Sequence, residues 1–160
     1  MINSDSLARR AARLAVVQAL YQMEITGVDA DSVTEEFSSF RFRREPEVTP
    51  GEPDEEFFAD LVHGVPARQA EIDDALSKCL AANWRLSRVD SIVRAILRSG
   101  AYELIARADV PAKVVIDEYV ELAKGFEAEQ EMPFINAALD KLAHRKRAAE
   151  FGEKAPEGDF

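Results

Sequence analysis

Apolar side chains in this chain recur at intervals of three and four residues, and no stretch of useful length alternates with period two. That pattern confines the fold to packed helices. A strand would bury every second residue and turn much of this apolar set to water. An all-α protein is therefore expected. A first helix should begin near Ser4 or Ser6, either of which can cap free backbone amides, and stop at Gly27, a residue suited to a left-handed turn. Leu7, Leu14, Val17, Tyr21 and Ile25 form its apolar stripe. The row Arg9, Arg13, Val16, Leu20 changes from basic to apolar along the helix, so any cationic patch covers only the first turns.

A second helix is expected over about 31–42, with Val33, Phe37 and Phe40 on its apolar side and Phe42 off it, marking the exit. REPEVTPGEPDEE at 44–56 reads as a solvated loop, because prolines, a glycine and dense acids disfavour helix and bury little apolar area. An acidic face that repels RNA or attracts a basic partner is the other reading of it. The helical pattern resumes with Phe57, Phe58, Leu61 and Val62, breaks or kinks at Gly64 and Pro66, and continues through Ile72, Leu76 and Leu80. Ser87 can cap the next helix, which carries Val93, Ile96, Leu97, Tyr102 and Leu104. Asp109-Val110-Pro111 opens another that ends near Gly125. A last helix starts around Pro133 and carries Phe134, Ile135, Ala138, Leu139 and Leu142.

Several chemistries lack their residues. Cys79 is the only cysteine, so an internal disulfide and a cysteine-rich zinc site are excluded, and its apolar surroundings suggest a buried thiol. His63 and His144 each follow a carboxylate by one turn (Asp60, Asp140), but two ligands from one helix make no metal site. A solvated or locally bonded histidine is expected instead. There is no glycine-rich phosphate loop and no catalytic constellation, so no enzyme, cofactor or metal is expected. MINSDSLARR lacks the apolar core of a secretory signal, and no window spans a bilayer, which points to a soluble cytoplasmic protein without a membrane partner.

The sign of the charge narrows the remaining possibilities. With a net charge of −10, 160 residues and 47% hydrophobic composition, the chain suits one compact domain or two small subdomains sharing a core. As a whole it should repel nucleic acid, so any such binding must be local. The basic exceptions are Arg9, Arg10 and Arg13 near the start and HRKR at 144–147. Arginines at a helix N-terminus work against the helix dipole, and a polyanion bound there would compensate.

The segments RRAARLAVVQALYQ, ILRSGAYELIARADVPAKVVIDEYVELAKGF and FINAALDKLA, in that order and spacing, resemble the transcription antitermination factor NusB family. Residues 30–54 match that pattern poorly. The resemblance implies two small helical bundles of about seven helices in a single domain over 1–150, the first bundle about 4–82 and the second about 86–148, with a disordered tail at 151–160. It also implies binding of the boxA element of nascent ribosomal RNA together with NusE, a small-subunit ribosomal protein, within an RNA polymerase antitermination complex. By position, Arg9, Arg10 and Arg13 match the family's RNA-contacting basic motif, with Gln18 and Tyr21 following on the same helix. Tyr21 can stack on a base or sit buried with a satisfied hydroxyl.

Lys124 and Phe126, in the segment 124–130, match a family loop near RNA; Phe126 either receives a base or tucks into the core. Lys113 is a further basic candidate, and Asn136 is equally suited to a structural hydrogen bond. Glu127, Glu129 and Glu131 make this second loop acidic, which should shift RNA affinity toward NusE. Two other readings share these residues. One is a protein-binding adaptor or homodimer; the other is a stand-alone relative of the RNA-binding domain of ribosomal RNA cytosine methyltransferases.

Overall fold

The computed structural model describes residues 4–43 and 52–154, so most of the acidic loop and the last six residues lie outside the described residues. Within them the chain forms seven α-helices and no strand, as the periodicity requires. It divides into two units, Met1–Ala67 and Arg68–Phe160.

The first unit contains α1 (Ser4–Thr26), α2 (Ala30–Ser39), a 3-10 turn (Arg41–Arg43) and α3 (Glu55–Ala67). α1 stops at Gly27, whose φ of +78° costs a glycine little and whose N–H returns to Met23 O at 2.8 Å. The face it buries is not the expected stripe. Ala12, Ala15, Val16, Ala19 and Leu20 are buried, whereas Tyr21 and Ile25 are exposed, and of the stripe only Val17 is buried. α1 packs chiefly on α3, and small side chains let two helices approach closely; the alanines, which carry a weak apolar signal, thus form much of the face that α1 buries.

Asp29 caps α2 by accepting from Ser32 N at 2.8 Å, and that hydrogen bond holds its carboxyl below the usual range. Val33 and Phe37 are buried as expected, but Phe40 and Phe42 exchange roles. The helix leaves regular geometry at Phe40 (φ −125°, ψ −57°) and continues as a 3-10 turn with about 3.0 residues per turn, which changes the direction of each later side chain. Phe40 is left 66% exposed, and Phe42 packs edge-on against Phe37 (5.7 Å) and Phe58 (5.0 Å). α3 starts under Asp54, which accepts from Phe57 N at 3.0 Å, and buries Phe57, Phe58, Leu61, Val62 and Val65. The break read from Gly64 and Pro66 falls at Arg68 (φ −116°, ψ 20°).

The second unit contains α4 (Gln69–Ser77), a 3-10 turn (Leu86–Arg88), α5 (Ser91–Ala106), α6 (Ala112–Gly125), a 3-10 turn (Glu129–Glu131), α7 (Met132–Lys146) and a final 3-10 turn (Ala148–Phe151). The division after Ala67 comes earlier than the expected one near 82–86, because α4 lays Ile72, Ala75 and Leu76 against α5 and α7. A two-pronged bond from Arg98 to Asp73, at 2.8 and 2.9 Å, fixes α5 to α4. Asp90, not Ser87, caps α5, accepting from Ile92 N and Val93 N, and the turn before it wraps the buried Arg94 guanidinium with the carbonyls of Leu86 and Val89.

Gly100 keeps α5, α6 and α7 close, since a Cβ there would lie 2.9 Å from Leu139 Cδ1 and 3.3 Å from Tyr119 Cδ2. Beside it the fully buried Tyr119 hydroxyl donates to Glu103 at 2.5 Å, so Ser99, 2.6 Å away, must donate to Tyr119. Cys79 is buried as expected, and that burial pushes its thiol up.

The chain is ordered further than expected at its end. Arg147 donates to four backbone carbonyls, those of Leu104 (2.8 Å), Val110 (3.0 Å), Glu103 (3.1 Å) and Arg107 (2.8 Å), and so closes the C-terminus of α5. Glu150, paired with Arg147, accepts from Ala112 N at 2.8 Å and closes the N-terminus of α6. That amide bond, with Arg147 beside it, holds the Glu150 carboxyl low. Phe151 stacks on His144 at 3.9 Å, and Glu153 reaches His144 Nδ1 at 2.6 Å. The part of the expected tail up to residue 154 is therefore structured.

Candidate nucleic-acid interface

The three N-terminal arginines occupy different environments. Arg9 lies 3.7 Å from Asp54 with its guanidinium 4.7 Å from the Phe57 ring centroid. Arg13 approaches the same ring at 5.0 Å but is only 3% exposed. Arg10 is half-buried, and all three are partnered side chains. The backbone helps set this corner, as Asp54 N donates to Ala8 O at 3.0 Å and joins the starts of α1 and α3. Asp5 in the first turn of α1 and Asp54 beside Arg9 supply negative charge at this helix end. Arg13 is thereby held on the apolar side of its row, and Arg9 and Arg10 are the arginines with surface to offer. Gln18 is half-buried, and Tyr21, 38% exposed, is not a core tyrosine.

The second-unit candidates lie around α6. Lys113 is exposed on its first turn and lines a groove of about 570 Å³ with Ile116, Asp117, Asn136, Asp140 and Phe151. Lys124 is exposed and pairs with Glu121 at 3.1 Å, the near-neighbour bridge that the sequence suggests. Phe126 is the half-buried C-cap of α6. The loop after it is a Schellman turn, with Ala128 N bonded to Ala123 O (2.8 Å) and Glu127 N to Lys124 O (3.2 Å). Its left-handed position is filled by Glu127 at φ +57°, and Gly125 is the last residue of α6, where the helix was expected to end.

The HRKR segment is not an open basic patch. Arg147 is consumed by the backbone carbonyls it caps, with its side chain 8% exposed, and His144 faces Asp140 (3.5 Å) and Glu153. Those acids, Glu153 first, raise the His144 pKa. His63 Nδ1 donates to Ala59 O at 2.9 Å and Nε2 meets Asp31, not Asp60, at 2.8 Å; both partners raise its pKa, Asp31 the more. Both histidines are thus locally bonded, as expected. Among the described residues no group of three or more acids, histidines or cysteines is arranged to hold a metal, and no helix is long and apolar enough to cross a membrane.

Two exposed aromatic features escaped the sequence reading. Phe134, placed there with the core of α7, pairs at 5.2 Å with the exposed Trp84. Phe40 stands exposed next to Arg41, with Arg43 close behind in sequence; the alternation F-R-F-R-R at 40–44 is the signal that would have found it.

Comparison with known proteins places this architecture. The model of the NusB family matches residues 10–144. The chain is 54% identical over 143 residues to the transcription antitermination protein NusB of Caulobacter vibrioides, covering 87% of this chain and 94% of that protein. It is likewise 54% identical over 146 residues to that of Maricaulis maris, covering 89% and 90%. The solved T. maritima NusB structure superimposes with a TM-score of 0.74 at 32% identity over 90% of this chain and 96% of the other. A chain in a solved complex of antitermination factors NusB and NusE with double-stranded RNA has the same fold, with a TM-score of 0.69 at 23% identity over 85% and 96%. With most of its length matched by the family model and by such relatives, this chain belongs to the NusB family.

Proposed function

We propose that this protein is a non-catalytic, cytoplasmic transcription antitermination factor that binds boxA-like RNA jointly with NusE and helps RNA polymerase pass terminators. The observation that carries this reading is the 54% identity, over nearly the whole length, to relatives named transcription antitermination proteins. The fold shared with a chain of the NusB–NusE–RNA complex supports RNA and NusE as partners. In this reading Arg9 and Arg10 meet phosphates, Tyr21 offers a ring to an unpaired base, and Gln18 hydrogen-bonds on the same helix. Arg13 acts from beneath, holding the Phe57 ring against which Arg9 also lies. Lys113, Lys124 and Phe126 are secondary contacts, weakened by the acids around them.

The test is a fluorescence-anisotropy titration of boxA RNA, and of a scrambled RNA, against the protein with and without NusE. Wild type should prefer boxA, more strongly with NusE present. Arg10→Ala should weaken boxA binding about tenfold, as expected for one charge-assisted hydrogen bond. Unchanged affinity in Arg10→Ala, or equal binding of the scrambled RNA, would sink the proposal.

A further inference from the structure

At the end of α2 the chain reads Phe40-Arg41-Phe42-Arg43, and the structure sorts these residues by environment. Phe42 joins the ring cluster of Phe37 and Phe58, whereas Phe40, Arg41 and Arg43 are all exposed. One exposed aromatic is ordinary in a soluble protein. Here it accompanies two arginines in a chain of net charge −10, and those arginines are oriented.

The Arg41 guanidinium lies 4.6 Å from the Phe37 ring centroid and reaches Gln22 Oε1 at 3.4 Å. Gln22 in turn donates to Glu36 at 2.7 Å. It lies one helical turn after Gln18 and next to Tyr21, so Arg41 reaches the part of α1 that carries two RNA-contact candidates. Arg43 donates to Glu55 at 2.7 Å, and Glu55 follows Asp54, the partner of Arg9. Arg9 and Arg43 therefore approach the first turn of α3 through adjacent carboxylates. Exposed ion pairs of this kind contribute little net free energy, so an RNA phosphate can replace the carboxylate at small cost.

We propose that Phe40, Arg41 and Arg43 form a second RNA contact, in which the arginines bind phosphates and Phe40 stacks on an unpaired base flanking the element that α1 reads. This inference rests on the RNA-binding reading above. Cations that track a backbone beside an aromatic platform are the chemistry of single-strand binding; an acidic peptide would use the arginines and leave the ring idle.

The experiment titrates the preformed complex with NusE against two RNAs, boxA alone and boxA with about ten unpaired nucleotides on each side. Phe40→Ala, and Arg41→Ala with Arg43→Ala, should weaken binding of the extended RNA about tenfold and leave that of the short RNA unchanged. The double arginine variant should also lower the slope of log K against log salt by about 1.4, or 0.7 for each phosphate that is no longer neutralised. Arg41→Lys with Arg43→Lys should restore that slope. Phe40→Ala removes a ring that is 66% exposed, and thermal melts of every variant separate weaker binding from misfolding.

Suppose wild type binds and Arg10→Ala weakens both RNAs while these variants hold the extended RNA normally: the second contact is then overturned and the function stands. Equal weakening on both RNAs overturns the flanking assignment. Weaker NusE affinity with unchanged RNA affinity assigns the patch to protein and overturns the proposal. If wild type binds neither RNA, both readings fall together.

Discussion

Arg10 and Arg13 stand three residues apart and differ in what truncation would remove. Arg13 is buried with its guanidinium near the Phe57 ring, so shortening it takes away packing and leaves its neighbours without their partner. Arg13→Ala is expected to cost about 1–3 kcal/mol, read as a lower urea midpoint at unchanged slope, whereas Arg10→Ala should stay within about 0.5 kcal/mol. Equal midpoints would show that Arg13 has no structural part. The sequence already ran the Arg9–Arg13 row toward Val16 and Leu20, and that row does enter the core. What it could not show is that the core takes in Arg13 as well, because the ring that receives it belongs to a remote helix. Phe40 and Phe42 repeat the lesson: their exchange depends on where α2 gives way to a 3-10 turn, which the helical period does not encode.

Helix identity was legible and helix ends less so. All seven helices were anticipated and α6 ends at Gly125 as expected, yet the cap of α5 moved from Ser87 to Asp90, and the left-handed turn after α6 falls on Glu127, which its residue type does not signal. Serine and aspartate cap equally well, and packing against neighbouring helices chooses between nearby registers. The α6–α7 connection therefore carries a testable strain. A side chain at φ +57° is disfavoured relative to glycine, and the Schellman hydrogen bonds around it are backbone bonds that a glycine would keep. Glu127→Gly should raise stability by up to about 1 kcal/mol, visible as a higher melting temperature. No gain, or a decrease, would mean that the Glu127 side chain contributes more than its backbone costs.

Across the molecule, the acidic average conceals the distribution that matters. Two carboxylates beside the candidate surface, Asp54 and Glu55, are matched by Arg9 and Arg43, while in the basic run at 144–147 His144 and Arg147 are taken up by local ion pairs and caps. Composition could exclude general nucleic-acid affinity, but only the paired distances identify which cations remain near the surface. The boundary between the units was misplaced for a related reason, since the apolar side of α4 shows that it packs without showing on which helices. The Arg147–Glu150 pair that closes the α5–α6 corner also bears on the order of events during synthesis. The first unit is a compact cluster formed within Met1–Ala67, whereas this corner in the second waits for residues 147 and 150 to leave the ribosome. On stalled nascent chains, protease resistance should appear in the first unit once residue 67 has cleared the exit tunnel, and in the second only once residue 150 has cleared it as well. Early protection of α5 and α6 in chains stopped before Arg147 would contradict this. If the order holds, a delayed or damaged C-terminal end leaves a folded first unit attached to an unfinished second one, a species that protein quality control would meet and the completed chain would not display.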